Sequence, residues 1–220
     1  MKELKVRKAN YYLNARGSFA EQISTIIKKL EKIIYKEKPS KFLVLGDTNS
    51  SVGAIVASRM GVKVYHMEAG NRCFSKKSPE EVNRKIIDHT SDLLLPYTQG
   101  SKKNLIKEGI KNKNIIVTGN PINEVILSFK KQINSSNVLN KLGLRKNNFF
   151  LLTLHRQENV DDLKVFKNLL YCLINIVQNY DKKIIWPIHP RSKKMLNSLK
   201  NFKLDKRIIL SKPMGFFDYV

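Results

Sequence analysis

Phe42-Leu43-Val44-Leu45-Gly46-Asp47-Thr48-Asn49 and, some twenty residues on, Val62-Lys63-Val64-Tyr65-His66-Met67-Glu68-Ala69-Gly70-Asn71-Arg72 share one design. Each is a short apolar run that opens into a polar, acidic loop. A helix-like segment, Val52 to Met60, lies between them. Strand, acidic loop, helix, strand, acidic loop is a βαβ unit whose polar residues fall at the carboxyl ends of its strands. In open α/β sheets that edge is where ligands bind. Asp47 and Glu68 are therefore expected to face one cleft, and paired carboxylates are a common source of acid and base chemistry.

Working outward, the same alternation continues. Ser18-Phe19-Ala20-Glu21 reads as a capping box, and apolar residues from Phe19 to Ile34 recur at helical spacing until Lys38-Pro39. Ser78-Pro79-Glu80-Glu81 reads as a second box, opening a helix to about His89 that turns Val82, Ile86 and Ile87 inward. Strands are expected at Leu93–Leu95 and Ile115–Val117, with a helix from about Ser101 to Gly109 between them. The polar stretch Gln132 to Asn137 is read as a domain boundary, giving domains 1–135 and 136–220. Beyond it come strands at Phe149–Leu154, Ile184–Trp186 and Ile208–Leu210, with helices at Leu163–Val177 and Lys193–Leu199. Strands alternating with helices predict an α/β protein with parallel sheets covered on both faces. A doubly wound domain usually has about five or six strands, so both domains are expected to be truncated.

Composition narrows the classes. The chain has 220 residues, 42% of them hydrophobic, and no apolar run long enough for a membrane span of roughly 18 residues. The charged N-terminus, Met1 to Arg7, has no apolar core behind it, which argues against a signal peptide. Cys73 and Cys172 are too few for a disulfide framework and fit a reducing, cytoplasmic setting. The net charge of +23 raises nucleic-acid binding. The excess is scattered lysine without an Arg-rich stripe or a recognised motif, so no nucleic-acid partner is expected. A basic surface would still draw an anionic small substrate.

Several side chains carry two readings each. Asp47 is either a site carboxylate or the N-cap of the next helix, a job Asn49 or Ser50 could take instead. Glu68 is a site carboxylate or the ion-pair partner of Arg72. If Ser78 caps its helix, Glu81 bonds back to the cap and Glu80 is left for the cleft, with an i,i+4 pair to Arg84 as the competing account. His155-Arg156 at a strand end, before a helix that begins near Asp161, suits a phosphate, and His189 holds the matching place on the next strand. His66 and His89 read as a strand-end and a helix-end histidine, without metal-ligand spacing. No dinucleotide, P-loop or serine-hydrolase motif is present.

At these residues the chain resembles the non-hydrolysing UDP-N-acetylglucosamine 2-epimerases. The matching elements are Gly46-Asp47-Thr48, His66-Met67-Glu68-Ala69-Gly70, Pro79-Glu80-Glu81 with Asn83-Arg84, Thr118-Gly119-Asn120, His155-Arg156 with Glu158, and Pro187-Ile188-His189. They run in family order over nearly the whole chain. The form Met67 to Phe74 is more similar to the capsule and O-antigen branch, which acts on a UDP-linked 2-acetamido-2,6-dideoxy-L-hexose. The housekeeping branch usually has leucine where Asn71 stands.

The resemblance implies two Rossmann-like domains facing a cleft, like the GT-B glycosyltransferases. It implies an isomerase that inverts C2 by eliminating UDP to a glycal and adding it back. By position, Asp47, Glu68 and Glu80 would be the catalytic carboxylates, and His155 would contact the diphosphate or assist its departure. Arg72, Arg84, Arg156 and His189 would bind substrate. Neither metal nor cofactor is required, the partner is a UDP-sugar, and the full-length form is expected to be a homodimer. The family's Gly-Thr-Arg-Pro-Glu loop, its Asp-Ser-Gly-Gly uridine-diphosphate loop and its Glu-Arg-Pro-Glu motif have no counterpart in these residues. The expectation is therefore an internal fragment that is inactive alone. A GT-B glycosyltransferase and a non-catalytic nucleotide-sugar-binding remnant are the alternatives.

Overall fold

The computed structural model describes residues 3–75, 78–199 and 202–220. Met1 and Lys2, the head of the segment read as no signal peptide, lie outside them. By internal contacts the chain divides into two units, Lys8–Asn123 and Glu124–Val220, the latter joined by the chain start up to Arg7.

In the first unit, α1 (Phe19–Glu37) opens with the expected capping box: Ser18 accepts from the Glu21 amide, and the Glu21 carboxylate accepts from the Ser18 amide. It buries Ile26, Leu30 and Ile34 at helical spacing and ends on Lys38 in the left-handed conformation. Then come β1 (Lys41–Leu45), a 3₁₀ turn (Asn49–Gly53), α2 (Ala54–Arg59), β2 (Lys63–Met67), α3 (Pro79–Thr90), β3 (Leu93–Leu95) and α4 (Gln99–Lys107). The three strands form a parallel sheet in the order β1-β2-β3. Val44, Val64, Ala57, Leu30 and Ile87 share one core cluster, and Leu94, Leu105, Ala69 and Ile115 another.

Register fixes the site edge. Leu45 pairs with Met67, and Met67 with Leu95, so the three strands finish level. The Gly46 amide donates to the Met67 carbonyl at 3.1 Å and the Glu68 amide to the Leu95 carbonyl at 3.1 Å. The loops carrying Asp47, Glu68 and Tyr97 therefore leave the sheet side by side.

Three local expectations need correcting. β2 is Lys63–Met67 instead of the run Val62–Tyr65, and His66, a strand-end histidine as read, is fully buried. Ile115–Val117 is not a strand: Ile115 makes a single parallel bridge to Leu94. The buried face of α3 is Glu81, Asn83, Ile87 and Asp88, while Val82 and Ile86 are exposed. That helix packs a polar stripe inward because it lies over hydrogen-bonding loops as well as apolar core.

The second unit begins in short helices, α5 (Ile122–Ser128), α6 (Lys130–Asn134) and α7 (Val138–Lys141). The contact division falls within α5, earlier than the 135/136 boundary read from composition. The polar run Gln132–Asn137 includes the end of α6, and the Ser136 hydroxyl donates to the Asp218 carboxylate at 2.5 Å. Next come β4 (Phe149–Leu151), α8 (Gln157–Val160), α9 (Leu163–Tyr180), β5 (Lys183–Pro187), α10 (Pro190–Ser198), β6 (Ile208–Ser211) and α11 (Phe216–Tyr219). Strands β4-β5-β6 form a second parallel sheet. α9 buries Phe166, Leu170, Leu173 and Val177 against Ile184 and Trp186 of β5. Each unit is thus a Rossmann-like parallel sheet with helices.

Gly70 shows how tight the β2–α3 loop is. Its φ is +76°, and a Cβ there would lie 2.4 Å from the Ser101 carbonyl oxygen and 2.8 Å from Leu105. A left-handed non-glycine residue and a backbone clash each cost about 1–3 kcal/mol. Gly70→Ala is expected to lower the urea midpoint of unfolding markedly, whereas Gly61→Ala, with open space at its Cβ, carries only the conformational cost. Equal midpoints for the two variants would contradict this packing.

Candidate active site

The Gly46–Asn49 loop after β1 is stapled from two helices. Arg84 of α3 donates to one oxygen of Asp47, Oδ2, from Nε at 2.8 Å and from Nη2 at 2.7 Å. Asn83 donates to the Asp47 carbonyl at 2.8 Å and to the Asn49 side chain at 3.2 Å, and Asn49 donates to Gln22 of α1 at 3.0 Å. Asp47 is therefore not an N-cap; Thr48 holds that position without a side-chain bond. Among the described residues nothing hydrogen-bonds to Asp47 Oδ1.

Glu68 stands next to this loop. Its φ is +67°, in the left-handed region that a non-glycine residue rarely occupies. One carboxylate oxygen is 3.5 Å from where a Cβ on Gly46 would be, and the other accepts from Asn71 at 3.3 Å. Burial first, and then the Glu68 charge, push the Tyr97 hydroxyl up from its usual range. Tyr97 follows β3 as Glu68 follows β2. Sequence reading passed over it, although its place after a third apolar run was a usable signal.

The expected capping box at Ser78 does not form. The Ser78 hydroxyl donates instead to Glu80 at 2.8 Å. Glu81 turns away from the helix start and accepts from the Cys73 amide at 3.0 Å, the Phe74 amide at 3.3 Å and Arg84 at 3.3 Å. Burial would raise the Glu81 carboxyl, but these bonds outweigh it and hold it below the ordinary carboxylate range. Burial likewise works against the Arg84 charge, and Asp47 with Glu81 outweighs it and raises the guanidinium. Arg84 is thus bound to Asp47 and Glu81. Glu80 lies one helical turn before Arg84, on the same side of α3.

Arg72, expected at the substrate, has a fully buried guanidinium. It donates to Glu108 at 2.8 and 2.5 Å, to the Asn71 carbonyl at 2.8 Å, and meets Asp88 at 2.8 Å. Burial opposes this charge, and Glu108 and Asp88 overcome it and raise the guanidinium. Glu108 is lowered in turn, chiefly by the hydrogen bond from Arg72. His66 Nδ1 is 2.7 Å from Asp88, and Nε2 is 3.1 Å from the Gly46 carbonyl. His89 reaches Glu108 at 3.7 Å.

In the second unit, His155 and His189 stand with ring centroids 5.6 Å apart. His189 is the N-cap of α10, and its Nδ1 accepts from the Arg191 amide at 3.2 Å. Ser192 donates to the Leu154 carbonyl, tying the loop before His155 to the first turn of α10. Arg156 and Arg191 are partly exposed and pair loosely with Glu158 and Asp161, at 3.7 and 3.6 Å. Two histidines, two arginines and a helix N-terminus make a cationic surface suited to phosphate. Among the described residues no group of three or more His, Cys, Asp or Glu side chains could hold a metal ion, and no helix is long and apolar enough to cross a membrane.

The two units are parallel α/β units, with carboxylates at the strand ends of one and cations at the strand ends of the other. The family described as UDP-N-acetylglucosamine 2-epimerase matches residues 1–220, and the chain belongs to that family. The Methanocaldococcus jannaschii UDP-N-acetylglucosamine 2-epimerase is 39% identical over 227 residues, covering 99% of this chain and 62% of the relative. The Pseudomonas aeruginosa UDP-2,3-diacetamido-2,3-dideoxy-D-glucuronate 2-epimerase is 34% identical, covering 99% of this chain and 60% of the relative. The crystal structure of the M. jannaschii protein in complex with UDP-GlcNAc and UDP matches with a TM-score of 0.90 at 39% identity, over 99% of this chain and 62% of that one. The structure from Rickettsia bellii matches at 0.89 and 38% identity, over 99% and 58%. The chain thus spans about three-fifths of the length of the curated relatives it matches.

The lowered Glu81 carboxyl makes a prediction about acid. Its stabilisation is fully present above the unfolded carboxylate value of about 4.3. It drains away as the pH falls through the lower folded value. Glu81→Gln is expected to be less stable at neutral pH and to lose less stability between about pH 5 and 3, read as urea midpoints across that range. Parallel acid limbs for the two proteins would mean that the Cys73–Phe74 contacts do not discriminate the charged form.

Proposed function

We propose that this chain carries the proton-transfer and phosphate-binding residues for C2 epimerisation of a UDP-linked 2-acetamido sugar. The observation that supports this most is the first unit's strand edge. Asp47 and Glu68 leave adjacent, level strands, Glu68 rests against Gly46, and Arg84 joins Asp47 to the helix whose first turn bears Glu80. A carboxylate there takes the C2 proton while the C1–oxygen bond breaks and UDP departs with the electron pair, leaving a C1–C2 double bond. Re-addition of UDP with protonation from the other face of C2 inverts that centre. Carboxylates on separate loops suit a reaction that needs a base on one face and an acid on the other.

In this reading Asp47, Glu68 and Glu80 do the acid and base work, and Arg84 orients Asp47. His155, Arg156 and His189 take the diphosphate, using the N-terminus of α10. Arg72 serves the reaction from below: its buried charge anchors the Glu68 loop instead of contacting substrate. The substrate class follows from the relatives named above, whose names share a UDP-linked sugar with an acetamido group. A second reading narrows it to the 2,6-dideoxy-L-hexose of capsule and O-antigen synthesis. It is favoured by Asn71, which bonds Glu68 directly and is itself held by the Ser101 hydroxyl at 2.8 Å. A leucine there would leave Glu68 without that donor.

The test replaces the matching segment of the M. jannaschii enzyme with this chain and follows solvent deuterium entering C2 of UDP-N-acetylglucosamine. Exchange is expected, and Asp47→Asn or Glu80→Gln should lower its rate about 10²–10⁴-fold with little change in substrate affinity. His155→Ala should weaken UDP binding as well. Undiminished exchange in both carboxylate variants would remove them from the chemistry.

A further inference from the structure

We propose that Asp88, acting with His66, is the positioning pair for the active-site carboxylates. One buried carboxylate would hold the Asp47 turn and the Glu68 loop in a single geometry, without touching substrate. The inference rests on the epimerase reading only for what the two loops do, not for how they are held.

The geometry points to it from both ends of Asp88. Oδ1 meets His66 Nδ1 at 2.7 Å, and His66 Nε2 meets the Gly46 carbonyl at 3.1 Å. That carbonyl belongs to the peptide bond that leads into Asp47. Oδ2 accepts from the Gly70 amide at 3.2 Å and meets Arg72 at 2.8 Å, two and four residues beyond Glu68. Asp88, His66 and the Arg72 guanidinium have no exposure to solvent. Each nitrogen of the His66 ring faces an acceptor, the Asp88 carboxylate on one side and the Gly46 carbonyl on the other. A carbonyl oxygen turned inward is thereby satisfied, as buried backbone groups must be.

Both loops need holding. Gly46 has φ +70°, Glu68 φ +67° and Gly70 φ +76°. Residues in the left-handed region persist where the surroundings over-determine them, and such strain collects at functional sites. Asp88 lies on α3, the helix that also supplies Asn83 and Arg84 to the Asp47 loop. The same helix therefore grips the Asp47 turn from its side chain and, through His66, from beneath its backbone.

Two substitutions separate positioning from bulk structure. A glutamine amide nitrogen reaches about as far as Nε2 and an asparagine's about as far as Nδ1. His66→Gln therefore keeps the Gly46 contact, and His66→Asn keeps only the Asp88 contact. In the labelled 220-residue chain, backbone amide signals of Gly46 and Asp47 are expected to move in His66→Asn and to stay in His66→Gln. In Asp88→Asn, which preserves shape, the signals of Glu68 and Gly70 should move as well. In the M. jannaschii chimera, His66→Asn should slow C2 exchange about 10–100-fold, with KM within about threefold, while His66→Gln stays within about fivefold, since a displacement near 1 Å costs on the order of 10²-fold. Identical shifts in the two His66 variants, or an Asp88→Asn effect confined to Gly70, would overturn the proposal. An unsubstituted chimera without exchange would refute the epimerase reading, and the amide shifts of the chain would still decide the positioning role.

Discussion

The Asp88 carboxylate is the point on which the first unit's loop architecture turns. It is buried on a helix among side chains that are themselves charged or polar, and each of its oxygens is used. An isolated buried carboxylate would be prohibitively costly. Here two cationic or donating side chains, Arg72 and His66, meet it, and Glu108 answers the remaining charge of Arg72. Such networks contribute little net stability against a well-packed apolar core, but removing one member leaves a stranded charge and costs about 3–5 kcal/mol. What the arrangement provides is definition. The loop after β2 has one conformation in which Gly70 and Arg72 both reach Asp88.

That definition explains the unusual face of α3. An amphipathic helix over a sheet normally turns its aliphatic residues inward. α3 turns in Glu81, Asn83 and Asp88 with only Ile87 apolar among them, and leaves Val82 and Ile86 outside. Each inward polar residue has a loop partner: Glu81 the Cys73–Phe74 amides, Asn83 the Asp47 carbonyl, Asp88 the Gly70 amide. The helix therefore acts as a template for backbone groups that the short sheet cannot pair. Most of the apolar packing falls to α1 and α2, whose buried residues cluster with Val44, Val64 and Ile87 of α3.

This is also where sequence reading reached its limit. The alternation of strands and helices, the α1 capping box and the carboxylates at strand ends were legible, because each rests on local periodicity or a local hydrogen bond. The α3 face was misread since Val82, Ile86 and Ile87 fit helical spacing and nothing local says which stripe meets the loops. Ser78 and Glu81 match a capping box letter for letter, yet Glu81 finds better donors eight and seven residues back in the chain. Arg72 was placed at the substrate by its position in the family resemblance. Its burial depends on Glu108, which is 36 residues away, and no pattern in the sequence links the two. In each case a side chain bonds to a partner outside the local pattern.

The second unit handles its histidines differently, and the contrast bears on their chemistry. His66 is enclosed with an acceptor at each ring nitrogen. His189 is exposed and accepts at Nδ1 from the first turn of α10, which leaves its ring hydrogen on Nε2. A ring fixed in that way presents a donor outward beside a helix N-terminus, where backbone amides already favour negative charge. His155 stands beside it, and Ser192 ties the loop before His155 to the same helix turn. On the proposed reading, the leaving diphosphate is met by donors whose directions were set before it arrived. On the same reading, the carboxylates of the first unit are oriented in advance as well. Asp47 is held by Arg84 and Asn83, and His189 by the Arg191 amide, so in both units the orientation is set by protein groups alone.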